Sequence, residues 1–84
     1  MSKRKKAQSY IGKRIYVPDF LETKTLLVQS VELVDPQEIY HYNSSKSLIL
    51  AFRGALCNGS DGAPDPNTIG YVPVNSRVRH RVIK

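Results

Sequence analysis

Residues Lys24 to Val34 read K-T-L-L-V-Q-S-V-E-L-V, the longest β-like run in the chain. In a strand, successive side chains point to opposite faces, so Leu26 and Val28 share one face while Val31 and Leu33 share the other. The apolar side therefore changes over near Gln29 and Ser30. One core receives both pairs only if the strand carries a β-bulge or a sharp bend at that point. Strongly bent strands of this kind turn the corners of small barrels. A helix is the competing reading, since the run lacks Gly and Pro, but its β-branched and Thr/Ser content weakens it.

Upstream, Tyr10 to Val17 (Y-I-G-K-R-I-Y-V) is rich in β-formers and stops at Pro18, which has no amide to donate, so a first strand is expected over Arg14 to Val17. Pro18 to Thr23 breaks the alternation. Asp19, three positions before Glu22, is placed to cap a short helical turn, in a connection too short for a full helix. Downstream, Asp35-Pro36 ends the long strand as a turn. In Gln37 to Asn43, Tyr40 and Tyr42 share one face and Ile39 and His41 the other. The two tyrosines either stack on unpaired bases or form a cross-strand aromatic pair, and His41 reads as a hydrogen-bonded sheet residue.

Asn43 to Lys46 is a loop, and Ser47 to Arg53 (S-L-I-L-A-F-R) is a near-continuous apolar strand expected at the centre of the sheet. Leu48, Leu50 and Phe52 are expected to face the core. Gly54 to Thr68, dense in Gly and Pro between Gly59 and Pro66, reads as a long loop, and a loop of that length in so small a domain invites a functional explanation. Its Asp61, Asp65 and Asn67 lack the alternating ligands and terminal Glu of an EF-hand calcium loop. Ile69 to Val74 is a short strand that Gly70 and Pro73 push to an edge, tied by Asn75-Ser76 to the last strand.

That last strand, Arg77 to Lys84, reads R-V-R-H-R-V-I-K. Arg77, Arg79 and Arg81 form one stripe, while Val78, His80 and Val82 form a face that is nearly a core face. Neighbouring arginines in the stripe stand about 6.6 to 6.8 Å apart, roughly twice the 3.4 Å axial step between phosphates of one nucleic-acid strand. The alternative is a solvated edge strand whose charges discourage edge-to-edge pairing. At the other end, Met1 to Ser9 has four consecutive cations and no apolar periodicity, so a flexible basic arm without core contacts is expected.

The chain has 84 residues, 13 basic and 7 acidic, with two histidines and a formal net charge of +6. Lys3, Arg4, Lys5, Lys6, Lys13 and Arg14 lie at the front and Arg77, Arg79, Arg81 and Lys84 at the back. All seven acids fall between, where only Lys24, Lys46 and Arg53 oppose them, so residues 15 to 76 carry −4. If the two ends meet in space, the charge is bipolar in three dimensions as well. Cys57, the single cysteine, has no partner for an internal disulfide, which favours a reducing compartment and a packed or loop thiol. Neither a signal peptide nor a run of about 18 apolar residues is legible, so a cytoplasmic location without membrane insertion is expected.

Nucleophilic catalysis needs a nucleophile, a base and a group that orients the base. The two histidines, His41 and His80, offer no such arrangement, and neither a Cys/His zinc cluster nor a Gly-rich phosphate loop leading into a helix is present. No enzyme and no cofactor is expected. The expected fold is all-β: a small, five-stranded, strongly bent antiparallel sheet or barrel, SH3-like or OB-like, over residues 10–84, preceded by the basic arm of residues 1–9. Two functions fit. In the first, Lys3, Arg4, Lys5, Lys6, Lys13, Arg14, Arg77, Arg79 and Arg81 bind the phosphate backbone of DNA or RNA with little sequence selectivity, and Tyr40, Tyr42 or Tyr71 adds stacking. In the second, a structural or regulatory assembly protein, of the sort a phage or mobile element uses as an accessory, self-associates or docks on an acidic protein surface through its segregated charges.

Overall fold

The bend expected near Gln29 and Ser30 is present. Val28 pairs with Gly54 and Ser30 with Arg53, so Gln29 is the extra residue of a bulge in an otherwise continuous ladder. On either side of it Leu26, Val28 and Val31 all turn to the main core, but Leu33, expected there with Val31, is 54% exposed at the far end of the strand. The computed structural model describes residues 3–21, 23–39, 42, 45–59, 61–74 and 81–83. In chain order these form helix α1 (Lys3–Gln8), strand β1 (Arg14–Tyr16), helix α2 (Pro18–Leu21), strand β2 (Lys24–Val34), a 3-10 turn (Pro36–Glu38) and strands β3 (Ile49–Asn58), β4 (Pro64–Pro73) and β5 (Arg81–Ile83).

The strands make one antiparallel sheet in the order β4-β3-β2-β1-β5. The fold is mostly β, as expected, but the sheet is open and not a barrel. Its edges are β4, which carries prolines at positions 64, 66 and 73, and β5, three residues long among those described. Proline has no amide for a ladder, so β4 is suited to an edge and poorly suited to closing a ring.

One face of the sheet holds the main core: Ile15, Val17, Leu21, Leu26, Val28, Phe52 and Val72, joined by Ala7 of α1. Phe52 is completely buried, and burying a side chain of that size contributes about 1.5–3 kcal/mol. Here the expectation of an arm without core contacts is corrected, because Lys3–Gln8 is helical and Ala7 is only 2% exposed. The segment has no Gly or Pro, Lys5 and Lys6 in its last turn complement the helix dipole, and the Ser9 hydroxyl donates to the Lys6 carbonyl at 2.6 Å. Gly12, at φ 87°, then turns the chain into β1.

Helix α2 realises the short turn expected after Pro18. Its first bonds run from the Phe20 and Leu21 amides to the Val17 carbonyl, which puts Pro18 at the first helical position and makes Val17, not Asp19, the capping residue. A second cluster, Val34, Ile39, Ile49 and Ala51, lies past the bulge with Tyr42 and Tyr71 packed against it. Gln37 to Asn43 does not begin as a strand-like ribbon. Asp35 caps a 3-10 turn by accepting from the Gln37 amide at 2.9 Å, and Ile39 closes it.

Strand β3 is interior, but β2 takes the middle place expected of β3. Phe52 and half-buried Leu50 face the main core as expected, whereas Leu48 precedes the strand and is 53% exposed. Ile49 and Ala51 are buried on the opposite face, so β3 is covered on both sides for part of its length. The long loop expected over Gly54 to Thr68 is mostly sheet: β3 continues to Asn58 and β4 starts at Pro64. The two strands slip register between Ala55–Ile69 and Leu56–Asp65, and the Asp65 carboxylate holds the extra residues by accepting from the Asn67 amide at 2.9 Å and the Thr68 hydroxyl at 2.7 Å. A dense Gly and Pro signal thus marks an irregular edge strand here.

Candidate nucleic-acid interface

Strand β1 sits between β2 and β5 and pairs with the latter in the register Arg14–Ile83, Ile15–Val82 and Tyr16–Arg81. The first strand and the last described one are therefore neighbours. Residues directly opposite in an antiparallel ladder share a face, and residues two apart along a strand share it too. Ile15 is fully buried in the main core. Arg14, Tyr16, Arg81 and Ile83 accordingly stand together on the opposite face, turned away from α1.

The same registers extend that face across the sheet. Arg14 is also opposite Leu27, Leu27 opposite Ala55, and Ala55 opposite Ile69, giving one transverse row from Ile83 to Ile69 across all five strands. Ala55 is buried, while Arg14, Leu27, Ile69 and Ile83 are half-buried. In the next row Arg81 is exposed and Tyr16 half-buried, with Thr25 and Cys57 buried further in. An open pocket of about 340 Å³ lies here, lined by Tyr16, Thr23, Thr25, Gly59 and Ile83. The Thr25 hydroxyl donates to the Gly59 carbonyl at 2.7 Å and so fixes the hairpin turn against β2.

The remaining expected site residues are distributed differently. Lys5 and Lys6 are exposed on α1, which packs on the core side of the sheet. Lys13 alternates to that side as well and holds its ammonium 5.9 Å from the centre of the Tyr10 ring. The backbone of α1 includes Lys3 and Arg4, whose side chains lie outside the described residues, as do Tyr40, Arg77 and Arg79. Tyr42 packs on the second cluster, its ring 5.9 Å from that of Phe20. The single basic surface expected from both ends is thus divided: Arg14 and Arg81 share one face, and the α1 lysines with Lys13 belong to the other.

Arg53, on the same face as Arg14, is matched internally by Glu32 at 3.9 Å and by Gln29 at 3.4 Å. Exposed Asp61 and Asp65 lie on the β3–β4 hairpin, and Glu32, Asp35 and Glu38 gather where β2 ends. Val82 is 37% exposed despite pairing with buried Ile15, because nothing described covers that corner of the edge strand. Tyr16, which shares the face of Arg14 and Arg81, is not among the residues expected from the sequence to bind. Its signal was its spacing of two from Arg14, which puts both on one face of the same strand.

No family model, no curated protein and no solved structure matches this chain.

Proposed function

We propose that this protein is a small, non-enzymatic, basic β-domain of a reducing compartment that binds nucleic acid through its phosphate backbone with little sequence selectivity. The observation that carries this reading is the β1–β5 ladder, which brings cations from both ends of the chain, Arg14 and Arg81, to adjacent strands of one face. The α1 lysines add to the long-range field that draws a polyanion in. The bulge at Gln29 is in keeping with a relation to SH3-like or OB-like sheets, here left open. Among the described residues the two helices are short and packed on the core through Ala7 and Leu21, unlike a helix that reads a major groove. Fluorescence anisotropy with labelled single- and double-stranded oligonucleotides across a salt series tests it. Binding that weakens linearly in log–log form as salt rises is expected, and no binding to either strand form at low salt refutes the reading.

A second reading, self-association through opposed charges, is favoured by the position of Asp61 and Asp65 on the hairpin that forms the edge opposite β5. Sedimentation of nucleic-acid-free protein distinguishes the two. An assembly that dissociates with salt supports the second, and a monomer supports the first.

A further inference from the structure

We propose that the pocket beside the β1–β5 ladder seats an unpaired base, so that the preferred ligand is a single strand and not a duplex. This rests on the backbone-binding reading above and adds the chemistry that selects the strand form. Tyr16 and Ile83 supply apolar walls, and Thr23, Thr25 and the Gly59 turn complete the lining. Tyr16 is directly opposite Arg81, and Ile83 is directly opposite Arg14. Each apolar wall therefore has a guanidinium-bearing residue as its cross-strand partner.

Directly opposed residues have Cβ atoms about 4.5–5.5 Å apart, and diagonal ones about 7–8 Å apart. Arg14 and Arg81 are diagonal in this ladder, close enough together for the phosphates of two neighbouring nucleotides of an extended single strand to reach both. A strand passing over both arginines therefore brings the base between its phosphates over Tyr16. A tyrosine ring offers a stacking surface that any base satisfies, consistent with low sequence selectivity. In a duplex both faces of each base are already covered by its neighbours, so only an unpaired base can use the pocket. The half-buried apolar residues Leu27 and Ile69 continue the same face beyond the pocket and provide a path for adjoining nucleotides.

The test compares a labelled oligothymidylate of about 12 nucleotides, within the usual span of single-strand sites, with a duplex of equal length. Wild type is expected to bind the single strand more tightly. Tyr16→Leu is expected to lose about tenfold or more in single-strand affinity with little change toward the duplex, and Tyr16→Phe to retain wild-type affinity. Equal affinity for the two forms, or a Tyr16→Leu variant that binds the single strand like wild type, overturns the base seat while leaving the backbone reading intact. Loss of all binding in the wild type overturns both.

Should Tyr16→Leu fail to fold, Tyr16→Trp supplies a separate readout, because the chain contains no tryptophan. Quenching of the introduced indole by the oligothymidylate is expected. Unchanged emission at saturating oligonucleotide overturns the proposal, and so does emission that shifts with protein concentration alone, which assigns the pocket to a second copy of the chain.

Discussion

The ring of Tyr10 meets that of Phe52 edge-on, with centroids 5.4 Å apart and planes inclined at 70°. Such a pair contributes about 0.5–1.5 kcal/mol beyond its buried area. Together with Ala7 it makes the N-terminal helix part of the core. Tyr10→Ala is expected to lower the unfolding free energy by about 2–3 kcal/mol in a urea titration. Removing residues 1–8 is expected to lower it as well, and an unchanged midpoint for that truncation would show that α1 contributes nothing to the folded state.

Gly54 stands opposite Val28, beside the bulge, and a Cβ added to it would overlap the carbonyl oxygen of Leu27. Backbone atoms in the middle of a ladder have no free rotation by which to move aside. Gly54→Ala is therefore expected to cost about 1–3 kcal/mol or more, seen as a lower melting temperature, whereas a wild-type melting curve would place the close approach elsewhere.

Hydrogen bonds from the Thr68 hydroxyl and the Asn67 amide hold the fully exposed Asp65 carboxyl below its ordinary value of 3.8. A carboxylate with a depressed folded pKa adds stability that is full above the unfolded value and fades as pH falls through the folded one. The β3–β4 hairpin is thus expected to loosen only at strongly acidic pH. A carboxyl titration followed by NMR should give a midpoint under 3.8 for Asp65, moving upward in Thr68→Val. A midpoint that ignores Thr68→Val would assign the depression to another cause.

If the backbone reading holds, replacing Arg14 and Arg81 together by Gln removes up to two phosphate contacts. The slope of log affinity against log salt for a single strand is then expected to shrink by about 1.4, with the unfolding midpoint little changed because Arg81 is exposed and Arg14 only half-buried. An unaltered slope would place the phosphate contacts on other cations.

Cys57 is 1% exposed in β3, and its thiol donates to the Ala55 carbonyl at 3.7 Å. Its reaction with a thiol reagent is expected to be about a thousandfold slower in native buffer than in urea, since only opened molecules react. Reaction at the rate of a free thiol would mean that this part of the sheet opens readily.

Two strands and one switch of face were legible from residue order. Lys24–Val34 has the bounds that its apolar pattern predicts, and the change of face at Gln29 is enough to require the bulge. The β-poor segments were harder to read. Prolines 64, 66 and 73 look like loop residues until the order of the sheet shows that their strand lies at an edge. The helix at Lys3–Gln8 has one apolar residue, Ala7, and no periodicity announces a turn whose burial depends on Phe52, more than forty positions away. Among the site residues, the sharing of a face by Arg14 and Tyr16 follows from spacing alone. Their meeting with Arg81 and Ile83 depends on strand order, which no local pattern specifies.

The ladders β1–β2, β2–β3 and β3–β4 join strands adjacent in the chain, whereas β1–β5 joins positions 14–16 to positions 81–83, through three pairs among the described residues. Closing so large a loop carries the greatest entropic cost in the sheet, and β5, at the edge of the described strands, has β1 alone to offset it. This seam is therefore expected to zip late in folding and to part early in the native ensemble, which amide hydrogen exchange along β1 and β5 would show. Any anion that spans Arg14 and Arg81 binds only the zipped form and so raises the stability of the whole domain with its own concentration, acting as a clasp between the head and the tail of the sheet.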